Sequence, residues 1–509
     1  MNFTSETLSG QSRETLSRLS RSYQVGERRN HDRNFRVPTS HRFYLLLLSA
    51  VVSLLSVAVP LFTHYANSVQ SENLYIGMMM VRGQLPYSDV FATGGFAYYL
   101  LILVSYLLGS TFWLVPIQML FFYTAGVYFY KIIYYVSDRR DITLAFTLIF
   151  YVLNIVFGFG GLYPSQFGMP FVLIAIWFLV RYFAGMVKDE AFIIYGIMGA
   201  FALLFDPQSV VFWLLSFVFI AIYNIRHKHF ARGFYQLLCI IFGTSLIIYT
   251  AGFFIFNLQI LSSYIKQAFI YPFTTPVMGN DNIILSFALQ LAVSLGSGIL
   301  AGLLGIFKRQ DIRVISILLG LTSVVYTLLA LFSGDYCLYH LLPLTMYGLI
   351  LTASQFRRRR AQRTGMSDIV LTYVKRGFYL PVLLVIFALG HSAYRLVMMT
   401  SPNQERVTIG AYLSKETTNE DTIYVWDKTA AIYSHSQRRT SSQFALPEVN
   451  THSQDHKQTL IDNLLEDKTA YIVVKNKMTI PAEITNLLKK DYKKVSVSGV
   501  RDFTLYQKK

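Results

Sequence analysis

The sequence predicts an all-α polytopic membrane protein of about 11 transmembrane helices, with interfacial helices in its first outer loop and a small C-terminal extracytoplasmic α/β domain. Of 509 residues, 53% are hydrophobic and only 14% charged, with mean hydropathy +0.42, too apolar for a soluble chain of this length. Apolar runs of about 16 to 22 residues recur from Phe43 to Val397, close to what a helix needs to cross about 30 Å of hydrocarbon. Strands of a membrane barrel would instead alternate polar and apolar residues. The net charge of +17 sits in short Lys/Arg clusters between these runs and in the two tails, a pattern that reports topology rather than nucleic-acid binding. Cys239 and Cys337 lie within or beside spans, so neither a disulfide framework nor a metal-ligand spacing is expected.

Residues 1–42, rich in Ser, Thr and Arg, read as a disordered cytoplasmic basic tail. About forty polar residues before the first span do not suit a cleavable signal, whose apolar core follows its basic start closely. Residues 43–397 form the membrane domain, with spans expected near 43–63, 113–136, 141–158, 168–184, 190–205, 207–224, 234–255, 284–306, 313–332, 338–355 and 377–397. With the N-terminus inside, the cytoplasmic loops at 137–141, 187–190, 225–233, 308–313 and 357–376 each carry Lys or Arg. The outer loops before the tail domain hold only Arg82 and Lys266. This assignment requires residues 94–109, "GGFAYYLLILVSYLLG", to lie at the outer interface inside a first outer loop of 64–112, where Tyr and Phe are at home. An ordinary crossing helix there would turn every later basic cluster outward.

Residues 398–509 become polar. "DTIYVWDKTAAIYSHSQR" reads as a strand entering a short helix, "TAYIVVKN" as a buried strand, "PAEITNLLKKDYKKV" as an amphipathic helix and "DFTLYQKK" as a last strand. No internal repeat is evident, which disfavours transporters built from duplicated halves.

Chemistry at the outer face has to come from few polar residues. The first outer loop offers Glu72, Arg82, Tyr87 and Asp89; "GFGGLYPSQFG" offers Tyr163 and Gln166. "LFDPQS" carries Asp206 at its apex, "SSYIKQAFIY" carries Tyr264, Lys266 and Tyr271, and "SGDYCLYHLLP" carries Asp335, Tyr339 and His340. Ionisable groups at the edge of an apolar bundle mark a functional site by default. Each also has a structural reading. Asp206 before Pro207 suits a helix cap, His340 an interfacial hydrogen bond to Tyr, Asp89 a turn after Pro86, and Glu72 the solvated start of an interfacial helix. Arg82 and Lys266 would then simply snorkel.

"GQLPYSD" (83–89) followed by the apolar 94–109 segment resembles the turn and interfacial helix of GT-C fold membrane glycosyltransferases. That group includes protein O-mannosyltransferases and bacterial aminoarabinose and cell-envelope sugar transferases. "GDYCLYHLLPL" (334–344) looks like the group's tyrosine-rich segment opening a late span, and residues 421–444 are similar to its outer α/β domain. The resemblance implies a polyprenyl-phosphate-linked sugar donor, a glycan, teichoic acid or lipid acceptor, and inversion at the anomeric carbon. It also implies a catalytic carboxylate, Glu72 or Asp89, with Arg82, Lys266, Tyr339 and His340 at the donor phosphate and Tyr87, Tyr163, Gln166, Asp206 and Asp335 in support. The chain departs from the group in having Ser71-Glu72-Asn73 where an Asp, often followed by Glu, is usual, and "LFDPQS" where the apex is usually basic. No metal-ligand spacing is present, although the superfamily is compatible with a divalent cation. A lipid-linked-oligosaccharide flippase or transporter and an O-antigen-type polymerase or ligase are the rival classes; the long outer loop and the outer domain weigh against the first, and the early place of the large loop against the second.

Overall fold

The computed structural model describes residues 35–274, 283–299, 312–332, 338–356, 379–447, 451, 453–466 and 469–509. Helices occupy the apolar runs in the expected order. They are α1 (Thr39–Leu54), α2 (Ser68–Val81), α3 (Phe96–Leu107), α4 (Leu114–Ser137), α5 (Arg140–Phe157), α6 (Pro164–Phe183), α7 (Phe192–Phe205), α8 (Val210–Arg226) and α9 (Phe230–Asn257). After these come α10 (261–274, π-helical over Ile265–Ile270), α11 (Ile283–Ser294), α12 (Arg313–Phe332), α13 (Leu342–Ala353) and α14 (Tyr379–Glu416). Among the described residues six helical segments are long and apolar enough to cross a membrane: Thr111–Ser137, Arg140–Phe157, Pro164–Phe183, Pro207–Arg226, Phe230–Asn257 and Arg313–Leu331.

Without hydrophobic force between helices in lipid, close association needs small residues. A Cβ on Gly196 would lie 2.3 Å from the Ile240 carbonyl oxygen and one on Gly243 2.0 Å from that of Ile193, so α7 and α9 meet backbone to backbone.

The first helix stops at Leu54, short of the expected residue 63. Pro60 lacks an N–H and restrains the residue before it. Upstream, the Val57 N–H donates to the Gly160 carbonyl (2.7 Å) and the Ala58 N–H to Ser56 Oγ (3.1 Å), so the chain leaves the helix there; a 3₁₀ turn, Pro60–Tyr65, follows. The 12-residue α3 is about 18 Å long, well under the about 30 Å of a bilayer core. Phe96, Tyr98, Tyr99 and Ile102 are buried while Leu100, Val104 and Leu107 are exposed, so one face packs against protein and one is open.

In contrast α2 is buried from Gln70 through Met79. Asn67 caps it: its Oδ1 accepts the Gln70 N–H and Gln70 Oε1 accepts the Asn67 N–H, both at 3.0 Å, satisfying donors that a buried helix start cannot leave to water.

The tail is a small α/β domain. Its sheet comprises β1 (Thr422–Trp426), β2 (Arg439–Thr440), β3 (Tyr471–Lys475), β4 (Tyr492–Val495) and β5 (Phe503–Lys508), in the order β2-β1-β3-β5-β4. β1 runs parallel to β2 and β3, pairing Ile423 with Tyr471, and β5 is antiparallel to β3 and β4. Its helices are α15 (Ala431–Ser436), α16 (Gln454–Glu466) and α17 (Ala482–Asp491). The 38-residue α14 runs into this domain and is locked to it by charge. Arg406 donates through Nε and Nη2 to both oxygens of Asp427 (2.6 and 2.9 Å) and through Nη1 to Asn403 Oδ1 (2.7 Å). Lys475 Nζ stands 3.7 Å from Asp427, and Glu405 accepts the Arg501 and Asp502 N–H groups.

Candidate functional site

The tail domain sits on α2. The Ala430 N–H donates to Ser71 Oγ (3.0 Å), the Thr440 N–H to Tyr75 Oη (2.9 Å), and the Tyr75 and Tyr433 rings pack at 5.1 Å. The loop between α2 and α3 also reaches the tail domain. Phe91 donates its N–H to the Gln443 carbonyl (2.9 Å) and lies in the tail domain's core, its ring against Phe444 and His456. Glu72 is held in this seam at 8% exposure. Burial and then the Glu72 charge push up the hydroxyl pKa of Tyr99, from α3, and of Tyr271, from α10. Tyr271 in turn stacks on His456 of α16 at 5.5 Å. The Glu72 charge thus acts on tyrosines from two other elements, and one of them, Tyr271, links it to His456 in the tail domain.

Asp89 is exposed and its Oδ2 accepts the Leu85 N–H at 2.8 Å, closing the turn that begins at Pro86. The turn places buried Tyr87 at φ 70, a left-handed backbone that non-glycine residues adopt at a cost of about 1–3 kcal/mol. Tyr87 Oη donates to the Gly94 carbonyl (2.9 Å). Gln267 then clamps the loop, donating to the Tyr87 carbonyl (2.8 Å) and accepting from the Ala92 N–H (3.0 Å). Its neighbour Lys266 is exposed.

Arg82, the C-cap of α2, is also exposed, within electrostatic reach of Tyr75 and of Arg438; Arg439 likewise reaches Tyr75. Burial and the Arg82 charge push the Arg438 guanidinium below its ordinary value; Arg438 is buried and donates to Thr417, Asn419 and the Ser414 carbonyl, and Arg439 pairs with Glu420 at 3.6 Å.

A second group forms beside the N-terminus of α2. Asn67 Nδ2 donates to Tyr163 Oη (2.5 Å), whose ring stacks on Tyr339 at 5.2 Å, and Tyr339 packs on His340 at 4.3 Å. Gln166 is buried and donates to the Asn154 carbonyl. Asp335 lies outside the described residues. Among those residues, no group of three or more His, Cys, Asp or Glu side chains could hold a metal ion.

Asp206 is buried at the end of α7, with Gly168 so close that a Cβ there would lie 2.7 Å from the Asp206 Cβ. Burial pushes its carboxyl up to about 7 from 3.8. A raised carboxyl contributes stability fully present below the unfolded value and lost as pH rises through the folded one. The thermal midpoint is therefore expected to fall between about pH 4 and pH 7, and Asp206→Asn to abolish this slope; an unchanged slope would show that Asp206 is ionised throughout.

Tyr271 is one of the polar residues that the sequence offers beside Lys266, whereas Asn67, Gln267, Tyr99 and His456 are not legible as site residues. Only Asn67 had a local signal, the N-x-x-Q spacing of a capping box; the others depend on long-range packing.

The competence-induced protein Ccs4 N-terminal domain matches residues 30–400, and the Ccs4 C-terminal domain matches residues 403–509. The chain belongs to the Ccs4 family. The boundary between the two Ccs4 domains falls within α14, next to Pro402, so a single helix links them. Among curated proteins none matches the chain. The family description names a condition of induction and no chemistry.

Proposed function

We propose that this Ccs4 family chain is a membrane glycosyltransferase. It moves a sugar from a polyprenyl-phosphate donor to a cell-envelope glycan, teichoic acid or lipid acceptor, with inversion. The observation that carries the reading is Glu72, held in the seam between helical bundle and tail domain beside Tyr99 and Tyr271. In this reading about 11 spans place the N-terminus in the cytoplasm and the tail domain outside.

Glu72 takes the proton of the acceptor hydroxyl as that oxygen bonds to the anomeric carbon. The bond from that carbon to the phosphate oxygen breaks, and polyprenyl phosphate leaves with the electron pair. Arg82, exposed at the end of α2, stabilises the charge growing on the leaving group. Asp89 and Gln267 hold the loop that carries Arg82's neighbours.

The test uses full-length protein in lipid discs, polyprenyl-phosphate donors with a labelled sugar, and envelope acceptors. Label in the acceptor with free polyprenyl phosphate left behind is expected. Movement of intact lipid-linked sugar across vesicles, with no cleavage, would overturn the reading in favour of transport.

A further inference from the structure

The end of the α8–α9 hairpin has a feature that sugar transfer at the α2 seam does not use. Between the two helices runs a groove of about 230 Å³, lined by Phe217, Ile220, Ala221, Ile225, Phe234 and Leu237, with Asn224 as its polar wall. It is smaller than the about 300–1,000 Å³ of pockets that enclose a whole small molecule, and it is open along one side. Phe217, Ile225 and Phe234 are exposed apolar side chains, as a lipid-facing surface would have.

The groove is built rather than incidental. Behind it, Tyr182 Oη donates to Asn224 Oδ1 (3.2 Å), Asn224 Nδ2 to Gln236 Oε1 (2.9 Å) and Gln236 Nε2 to Asp189 (2.5 Å), while Arg232 Nε donates to Asp189 at 2.8 Å. This chain of bonds joins four elements and fixes the spacing of α8 and α9. Gly233 brings the helices together there, since a Cβ on it would lie 3.1 Å from the Asn224 Cβ. At the mouth the connecting turn reads Arg226-His227-Lys228-His229, all four exposed, with Lys228 at φ 59. The nearby Asp189 carboxylate is engaged by Arg232 and Gln236. An apolar slot therefore opens directly beneath a cationic turn.

We propose that this groove seats an acyl chain of an anionic phospholipid, with the lipid phosphate against Arg226 and Lys228. The slot alone would accept any lipid tail; the turn selects by charge, as basic segments at helix ends select anionic headgroups. The basic side of the hairpin is the side that charge bias assigns to the cytoplasm, where anionic lipid meets it.

The experiment is native mass spectrometry of the full-length protein in neutral detergent, titrated with phosphatidylglycerol or phosphatidylcholine. Phosphatidylglycerol is expected to be retained more tightly. Arg226→Gln with Lys228→Gln should weaken that retention roughly 30-fold, about fivefold per charge, without moving the thermal midpoint in neutral detergent. Ala221→Phe, which fills the slot and keeps the charges, should displace the lipid as well. Equal retention of the two lipids would overturn the proposal. So would retention that survives the charge substitutions, or loss on charge removal with none on filling the slot, which would mean a headgroup held at the surface alone.

Discussion

Glu72→Gln is expected to lower the rate of sugar transfer by about 10²–10⁴-fold, the usual contribution of a positioned general base, with little change in donor retention or thermal midpoint. Glutamine keeps the shape and hydrogen-bonding reach of the side chain and removes only its basicity. Asp89→Asn is expected to leave most of the rate. Asp89 is exposed and its Oδ2 accepts the Leu85 N–H, a role that the asparagine carbonyl oxygen also fills. The measurement is transfer rate against substrate concentration for both variants. Loss in Asp89→Asn with a normal rate in Glu72→Gln would exchange their roles; loss in neither would remove both carboxylates from the chemistry.

Arg406→Ala is expected to destabilise the tail domain by about 3–5 kcal/mol, the cost of leaving a buried partner charge uncompensated. Asp427 is fully buried and Arg406 nearly so. Burial alone would raise the Asp427 carboxyl, but the Arg406 hydrogen bonds and charge, with Lys475 behind them, outweigh it and hold the pKa below 3.8. A depressed carboxyl contributes stability present above its unfolded value and lost as pH falls through the folded one. Acid therefore weakens this domain in the direction opposite to that expected at Asp206. Hydrogen exchange at the β1 and β3 amides reads the effect locally. Replacing both partners, Arg406→Met with Asp427→Leu, should cost much less than either single change; additive losses would show that the pair acts through packing and not charge.

Much of the architecture is legible in the chain because its signals are local. Apolar runs located the helices, and "TIYVW", "YIVV" and "FTLY" stand out as strands by their β-branched and aromatic content. The two-residue β2, with Thr440 as its one β-branched residue, is too short to announce itself and exists because its backbone pairs with β1. In β4, "YKKV" is masked by its lysines, which are exposed beside the β5 pairing. The α16 helix was likewise missed; its sequence is mostly polar, with only Leu460, Ile461 and Leu464 buried.

The site was legible as residue types but not as an assembly. Nothing near Glu72 announces that the tail domain will close over it, because the contact of Ser71 with Ala430 joins residues 359 apart. Asp89, prominent within its motif, holds a turn, whereas Gln267, unremarkable in sequence, holds the same loop from 175 residues away. Phe91 looks like one more aromatic in an interfacial loop until its ring is found in the other domain's core.

The continuity of α14 makes the protein sensitive to phase. An α-helix turns about 100° with each residue, and the stretch from Tyr379 to Glu416 is a single helix that carries Glu405 and Arg406 into the tail domain. One residue inserted ahead of Pro402 would swing the whole sheet by about a quarter turn and carry Gln443 and Ala430 away from Phe91 and Ser71. Evolution can therefore change the tail domain's surface freely, but can lengthen the shaft beneath it only in near-whole turns.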